Sequence, residues 1–75
     1  MPARARYPMP EFIQEALHKR GLMDVYHARP PYQQNDYIGW IQRPKLETTR
    51  QKRLDQMLDE LKAGNLYMKM KWNPK

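Results

Sequence analysis

The chain has 75 residues, enough for one domain with a modest core, and its 14 Lys and Arg against 8 Asp and Glu give a formal net charge of +6. Cysteine is absent, which excludes disulfides, thiolate metal ligands and thiol catalysis together and fits a reducing cytoplasm, the expected location. The basic opening MPARARYPMPEF lacks the apolar stretch of a secretory signal, and no segment approaches the roughly 20 apolar residues of a membrane span.

Residues 1–9 read as a basic N-terminal tail, since Arg4 and Arg6 stand there without an acid. A single helical domain over 10–64 follows, divided by proline and glycine. Its first helix runs from Pro10 to about Arg20, with proline suited to the first position, an apolar stripe of Phe12, Ile13, Ala16 and Leu17, and Gly21 as the stop. A short second helix, Leu22 to Ala28, places Leu22, Val25 and Tyr26 at helical spacing before Arg29-Pro30-Pro31 breaks it. The third, Pro31 to Gln42, presents Tyr37, Ile38 and Ile41, with Trp40 beside them and Pro44 after its end. Gly39 inside it costs about 1 kcal/mol relative to alanine, which predicts a close neighbour there.

The fourth helix has the strongest period, with Leu54, Met57, Leu58 and Leu61 at i, i+3, i+4 and i+7 before Gly64. Thr48 with Gln51 fits a capping box, and Lys45 or Leu46 would start the helix earlier. After Gly64 the period changes to two. Leu66, Met68, Met70 and Trp72 alternate with Tyr67, Lys69 and Lys71. Residues 65–75, which carry Lys69, Lys71 and Lys75 and no acid, therefore read as an extended basic tail with Leu66 and Met68 packed on the helices. The alternative is a strand that pairs in a dimer or augments a partner's sheet. The predicted fold is all-α: a small orthogonal bundle of about four helices with an extended C-terminal tail, monomeric or weakly dimeric.

Reactive chemistry is thin. Serine is absent, so the only hydroxyls beyond tyrosine are Thr48 and Thr49. His18 and His27 lie on different helices without Asp, Glu or Cys at ligand spacing, and the glycines are isolated, so no metal, cofactor or phosphate loop is expected. Asp55 and Asp59 fall at i,i+4 on the exposed face of the fourth helix. An enzyme is not predicted.

One feature runs against the bland reading. The fourth helix carries Arg50, Lys52 and Arg53 near its start and Asp59 and Glu60 near its end, the reverse of what the helix macrodipole favours. Two explanations stand: ion pairing and guanidinium stacking inside the domain, with Asp36, Asp24, Glu47, Tyr37 or Trp40, or an anion or partner-binding site that also draws on Arg43 and Lys45.

The stretch WIQRPKLETTRQKRL resembles the YdeI/OmpD-associated, bacteriocin-protection family, whose pattern is roughly Trp-Ile-x-x-Ala-Lys-x-x-x-Thr-Arg-x-x-Arg-Ile. Trp40, Ile41, Lys45, Thr49, Arg50 and Arg53 fall on matching positions, the upstream Tyr37 agrees, and Leu54 replaces isoleucine. The departure is Pro44 where the family commonly has alanine, which bears on how far the third helix continues. The resemblance implies a bacterial helical module with a link to envelope stress or bacteriocin tolerance.

Together these readings predict a noncatalytic accessory module whose partner is a protein. The rival is nucleic acid, since the third and fourth helices could imitate a helix-turn-helix with Thr48, Thr49, Gln51 and Lys52 facing a groove. Acids on the fourth helix oppose that rival.

Overall fold

Turn residues set the helix boundaries. The structure, a computed structural model, describes residues 8–73. Helix α1 (Glu11–Arg20) begins after Pro10 and closes at Gly21, whose left-handed backbone (φ 66°) returns its N–H to the His18 and Leu17 carbonyls. Helix α2 (Met23–Ala28) has 6 residues and stops where Arg29 turns extended before the proline pair. Helix α3 (Pro31–Gln42) starts on Pro31, where a missing N–H costs nothing. Helix α4 (Glu47–Ala63) ends at Gly64, again left-handed at φ 84°.

The predicted stripes form one core. Ile13 and Leu17 of α1, Tyr26 of α2, Tyr37, Ile38 and Ile41 of α3, and Leu54, Met57, Leu58 and Leu61 of α4 are buried together. Met9, Ala16, Leu22, Met23 and Trp40 close the edges. Gly39 is buried on α3, as its unfavourable placement suggested. The chain is thus an all-α bundle of four helices. Phe12, expected in the stripe of α1, is largely exposed. The capping box does not form either: Leu46 is the N-cap, without a side-chain cap bond, and Gln51 donates instead to Asp55. Because Leu46 already has the extended backbone of an N-cap (φ −79°, ψ 130°), the helix starts one residue before Thr48.

The segment beyond Gly64 departs from expectation. It is not an extended tail, nor a lone strand awaiting another chain, but a hairpin. Strands β1 (Leu66–Tyr67) and β2 (Met70–Lys71) pair antiparallel, with Leu66 opposite Lys71 and Tyr67 opposite Met70, and Trp72 donates its N–H to Asn65. Tyr67 and Met68 pack against the core. At the other end, Met9, assigned by charge to the N-terminal tail, also packs there; Arg4 and Arg6 of that tail, and Lys75 of the C-terminal one, lie outside the described residues.

Burial of tyrosine gives the fold an alkaline limit. Desolvation raises the Tyr26 hydroxyl from 10.0 to about 12. Tyr37 rises further, first through burial and then through its bond to the Glu60 carboxylate. A group whose folded pKa is raised contributes stability that is complete below its unfolded value and lost as pH climbs through the folded one. Urea unfolding midpoints should therefore be flat with respect to these tyrosines below pH 10 and fall between pH 10 and 12. Tyr26→Phe should make that fall shallower, and an unchanged slope would remove Tyr26 from the account.

Candidate interaction site and the network behind it

The residues singled out by charge cluster where α3 hands over to α4, and Pro44 explains why two of them turn inward. In a continuing helix the Trp40 carbonyl would accept the N–H of residue 44, and proline has none. Arg53 supplies the missing donor: its Nη1 reaches the Trp40 carbonyl at 2.7 Å, while its guanidinium carbon sits 5.0 Å from the Trp40 ring centroid. Arg50 Nε donates to the Pro44 carbonyl at 2.7 Å. Both cations are thus at the start of α4 but also at the C-terminal end of α3, where positive charge is favoured.

Stacking on Trp40 is among the contacts expected, whereas carbonyl oxygens take the place of the carboxylates proposed as partners. Arg50 and Arg53 are half-buried. Arg43 and Lys45 are exposed, as is Lys52. Of the remaining motif positions, Tyr37 and Ile41 are buried in the core, Trp40 is half-buried with its ring 6.5 Å from that of Tyr37, and Thr49 is half-buried on α4. The candidate anion or partner-binding set therefore divides into Arg50 and Arg53, which hold the joint, and Arg43 and Lys45, which face solvent.

A second polar cluster was not anticipated. Glu60, read from its position as part of a misplaced acidic end of α4, is only 3% exposed. Its carboxylate accepts the Tyr37 hydroxyl, Gln56 Nε2 at 3.2 Å, and two backbone amides, Met68 N at 2.9 Å and Lys69 N at 2.7 Å. Those amides belong to the hairpin turn, where Met68 (φ 50°) and Lys69 (φ 64°) both adopt the left-handed backbone.

Arg29, also 3% exposed, lies next to it. Its Nη2 donates to the Glu60 carbonyl at 3.0 Å and its Nη1 to Gln33 Oε1 at 3.1 Å, while the Trp72 ring covers it at 4.4 Å. Gln33, fully buried, donates in turn to the Tyr32 hydroxyl. Tyr67 reaches Asp36 Oδ2 at 2.8 Å and meets Tyr37 edge to face at 5.3 Å. The sequence held one signal for this cluster: Arg53, Gln56 and Glu60 fall at i, i+3 and i+7, the repeat of the core positions shifted by one flank.

With that geometry in hand, comparison with known proteins decides the family. The sequence model of the family described as bacteriocin-protection, YdeI or OmpD-associated, matches residues 6–64. The chain belongs to this family. No curated protein and no solved structure matches it. The OmdA-type motif thus corresponds to the α3–α4 joint, and the family match ends at Gly64, just before the hairpin that covers Glu60 and Arg29.

Two substitutions test these assignments. Arg53→Lys keeps the charge but cannot both reach the Trp40 carbonyl and lie on the ring in the manner of a planar guanidinium. It should lower stability by about 1 kcal/mol in urea unfolding, whereas Arg43→Lys should leave it unchanged. Glu60→Gln weakens two charge-assisted bonds to the turn and should cost about 2–3 kcal/mol, with faster amide exchange at Met68 and Lys69 than at the centre of α4. Uniform exchange across the two regions would mean that the carboxylate does not hold the hairpin.

Proposed function

We propose that this OmdA-family domain is a noncatalytic accessory module that works by contact with a protein partner in the cytoplasm, in a process tied to bacteriocin tolerance or envelope stress. The observation that carries the reading is how the charged interior is used. Glu60 and Arg29, the buried ionisable groups best placed for chemistry, spend their hydrogen bonds on Tyr37, Gln56, Gln33, the α4 backbone and the hairpin turn. Among the described residues, no buried side-chain nitrogen or oxygen lacks a partner. Groups committed in this way hold shape, and recognition falls to the exposed residues. Membership of a bacteriocin-protection family supplies the process, and the cysteine-free composition fits the cytoplasm.

The helix-turn-helix alternative gains no support. Exposed Asp55 and Asp59 follow Lys52 along α4 and would repel phosphate lying beside that helix.

The test is survival of a bacteriocin-sensitive bacterium expressing the full chain, paired with fluorescence anisotropy of labelled duplex DNA and single-stranded RNA. Expression should raise survival several-fold, and nucleic-acid binding seen at low salt should vanish at physiological salt. Unchanged survival together with nucleic-acid binding that persists at physiological salt, and is lost in a folded Arg43→Glu/Lys45→Glu variant, would replace this reading with its rival.

A further inference from the structure

Leu46 is 69% exposed, more than any other large hydrophobic residue described, and it occupies a position that the fold would fill better with something else. It is the N-cap of α4 and makes no side-chain cap bond. Ser, Thr, Asp and Asn are favoured at that position because their side chains satisfy free helix amides, and leucine cannot. A single exposed leucine is ordinary on a protein surface. A leucine that is exposed, is unfavourable for its own helix and is ringed by cations is not explained by the fold.

The ring is dense. Between residues 43 and 53 stand Arg43, Lys45, Arg50, Lys52 and Arg53 against a single acid, Glu47. Arg43, Lys45 and Lys52 are exposed, and the half-buried Arg50 and Arg53 are fixed by their bonds to the Pro44 and Trp40 carbonyls, so their charge is held in place rather than carried on free side chains. Ordering such side chains before binding reduces the entropy lost on binding. Such a surface favours a partner with negative charge around an apolar anchor.

We propose that the α3–α4 corner docks an acidic segment of a partner protein, with a leucine-type side chain on Leu46 and carboxylates on Arg43, Lys45 and Lys52. This inference rests on the protein-contact reading above and names the surface and the chemistry of the partner. Nucleic acid fits less well, because a phosphate backbone offers Leu46 no apolar contact and meets Asp55 and Asp59 farther along α4.

The experiment uses the full chain and a fluorescein-labelled peptide, Asp-Glu-Leu-Leu-Asp-Glu, with Asn-Gln-Leu-Leu-Asn-Gln as control. The acidic peptide should bind at low salt at least about tenfold more tightly than the control, and Arg43→Glu/Lys45→Glu should weaken it by a similar factor. Leu46→Asn should weaken binding several-fold while leaving the salt dependence in place. It should also leave the melting temperature unchanged or higher, because asparagine is the better N-cap.

A lower melting temperature for Leu46→Asn would make Leu46 structural and overturn the proposal. So would absence of peptide binding, binding indifferent to these variants, or displacement of the peptide by single-stranded RNA at physiological salt. If Leu46→Asn loses peptide binding but retains bacteriocin protection, this surface is withdrawn as the working interface and the accessory role stands. If the wild-type chain binds the peptide but gives no protection, the process is withdrawn and the surface stands.

Discussion

The hairpin exists because one buried carboxylate accepts both amides of its turn. Two residues per strand are far too few for a ladder to stabilise itself. The turn makes matters worse, since a left-handed backbone costs a residue with a Cβ about 1–2 kcal/mol, and here Met68 and Lys69 both adopt it where Asn-Gly would be favoured. Each hydrogen bond to a charged acceptor contributes about 1.5–3 kcal/mol, so the pair from Met68 and Lys69 to Glu60 is large enough to offset the strain of both residues. Docking, not the turn sequence, decides the conformation. The rest of the buried polar network follows from that choice: once Glu60 is buried, Tyr37 and Gln56 occupy its remaining acceptor sites, and Arg29 beside it is covered by Trp72 from the strand that the turn brings back.

The reversed charge of α4 is resolved by its neighbours at both ends. A helix considered alone loses stability with cations in its first turns and an anion in its last. Arg50 and Arg53, however, serve the C-terminal end of α3, and Glu60 serves a pair of hairpin amides, so each charge meets a partial charge of the opposite sign from another element. Pro44 is central to this arrangement, for it ends α3, leaves the Trp40 carbonyl without its helical donor and so gives Arg53 a specific task.

The helices were legible in the sequence because their signals are local. Pro31 and Pro44 bracket α3, Gly21 and Gly64 close α1 and α4, and the i, i+3, i+4, i+7 set of Leu54, Met57, Leu58 and Leu61 is the buried face. What could not be read depends on contacts distant in sequence. Period-two alternation in LYMKMKW signals extended chain but carries no mark of reversal, since Met-Lys is not a turn sequence and the partner that forces the turn lies eight residues upstream at Glu60. Glu60 itself looks like one more acid on a charged helix until the hairpin is placed over it. The charge anomaly was visible at Arg50 and Arg53, but its resolution by backbone carbonyls was not, because a free carbonyl has no letter in the sequence.

This division bears on how function is distributed across the domain. Trp40, Ile41, Arg50 and Arg53 of the family pattern are occupied with the α3–α4 joint, so a match to that pattern reports the joint and, through it, the fold. Fold alone does not assign a partner. Residues on the same joint that the helices do not need, Arg43, Lys45 and Leu46, are free to differ in chemistry without disturbing it, because their side chains are exposed. A rigid joint that presents variable surface residues is a suitable way for a small domain to acquire a specific partner: the half-buried arginines fix the geometry of the corner, and the exposed residues decide what binds to it.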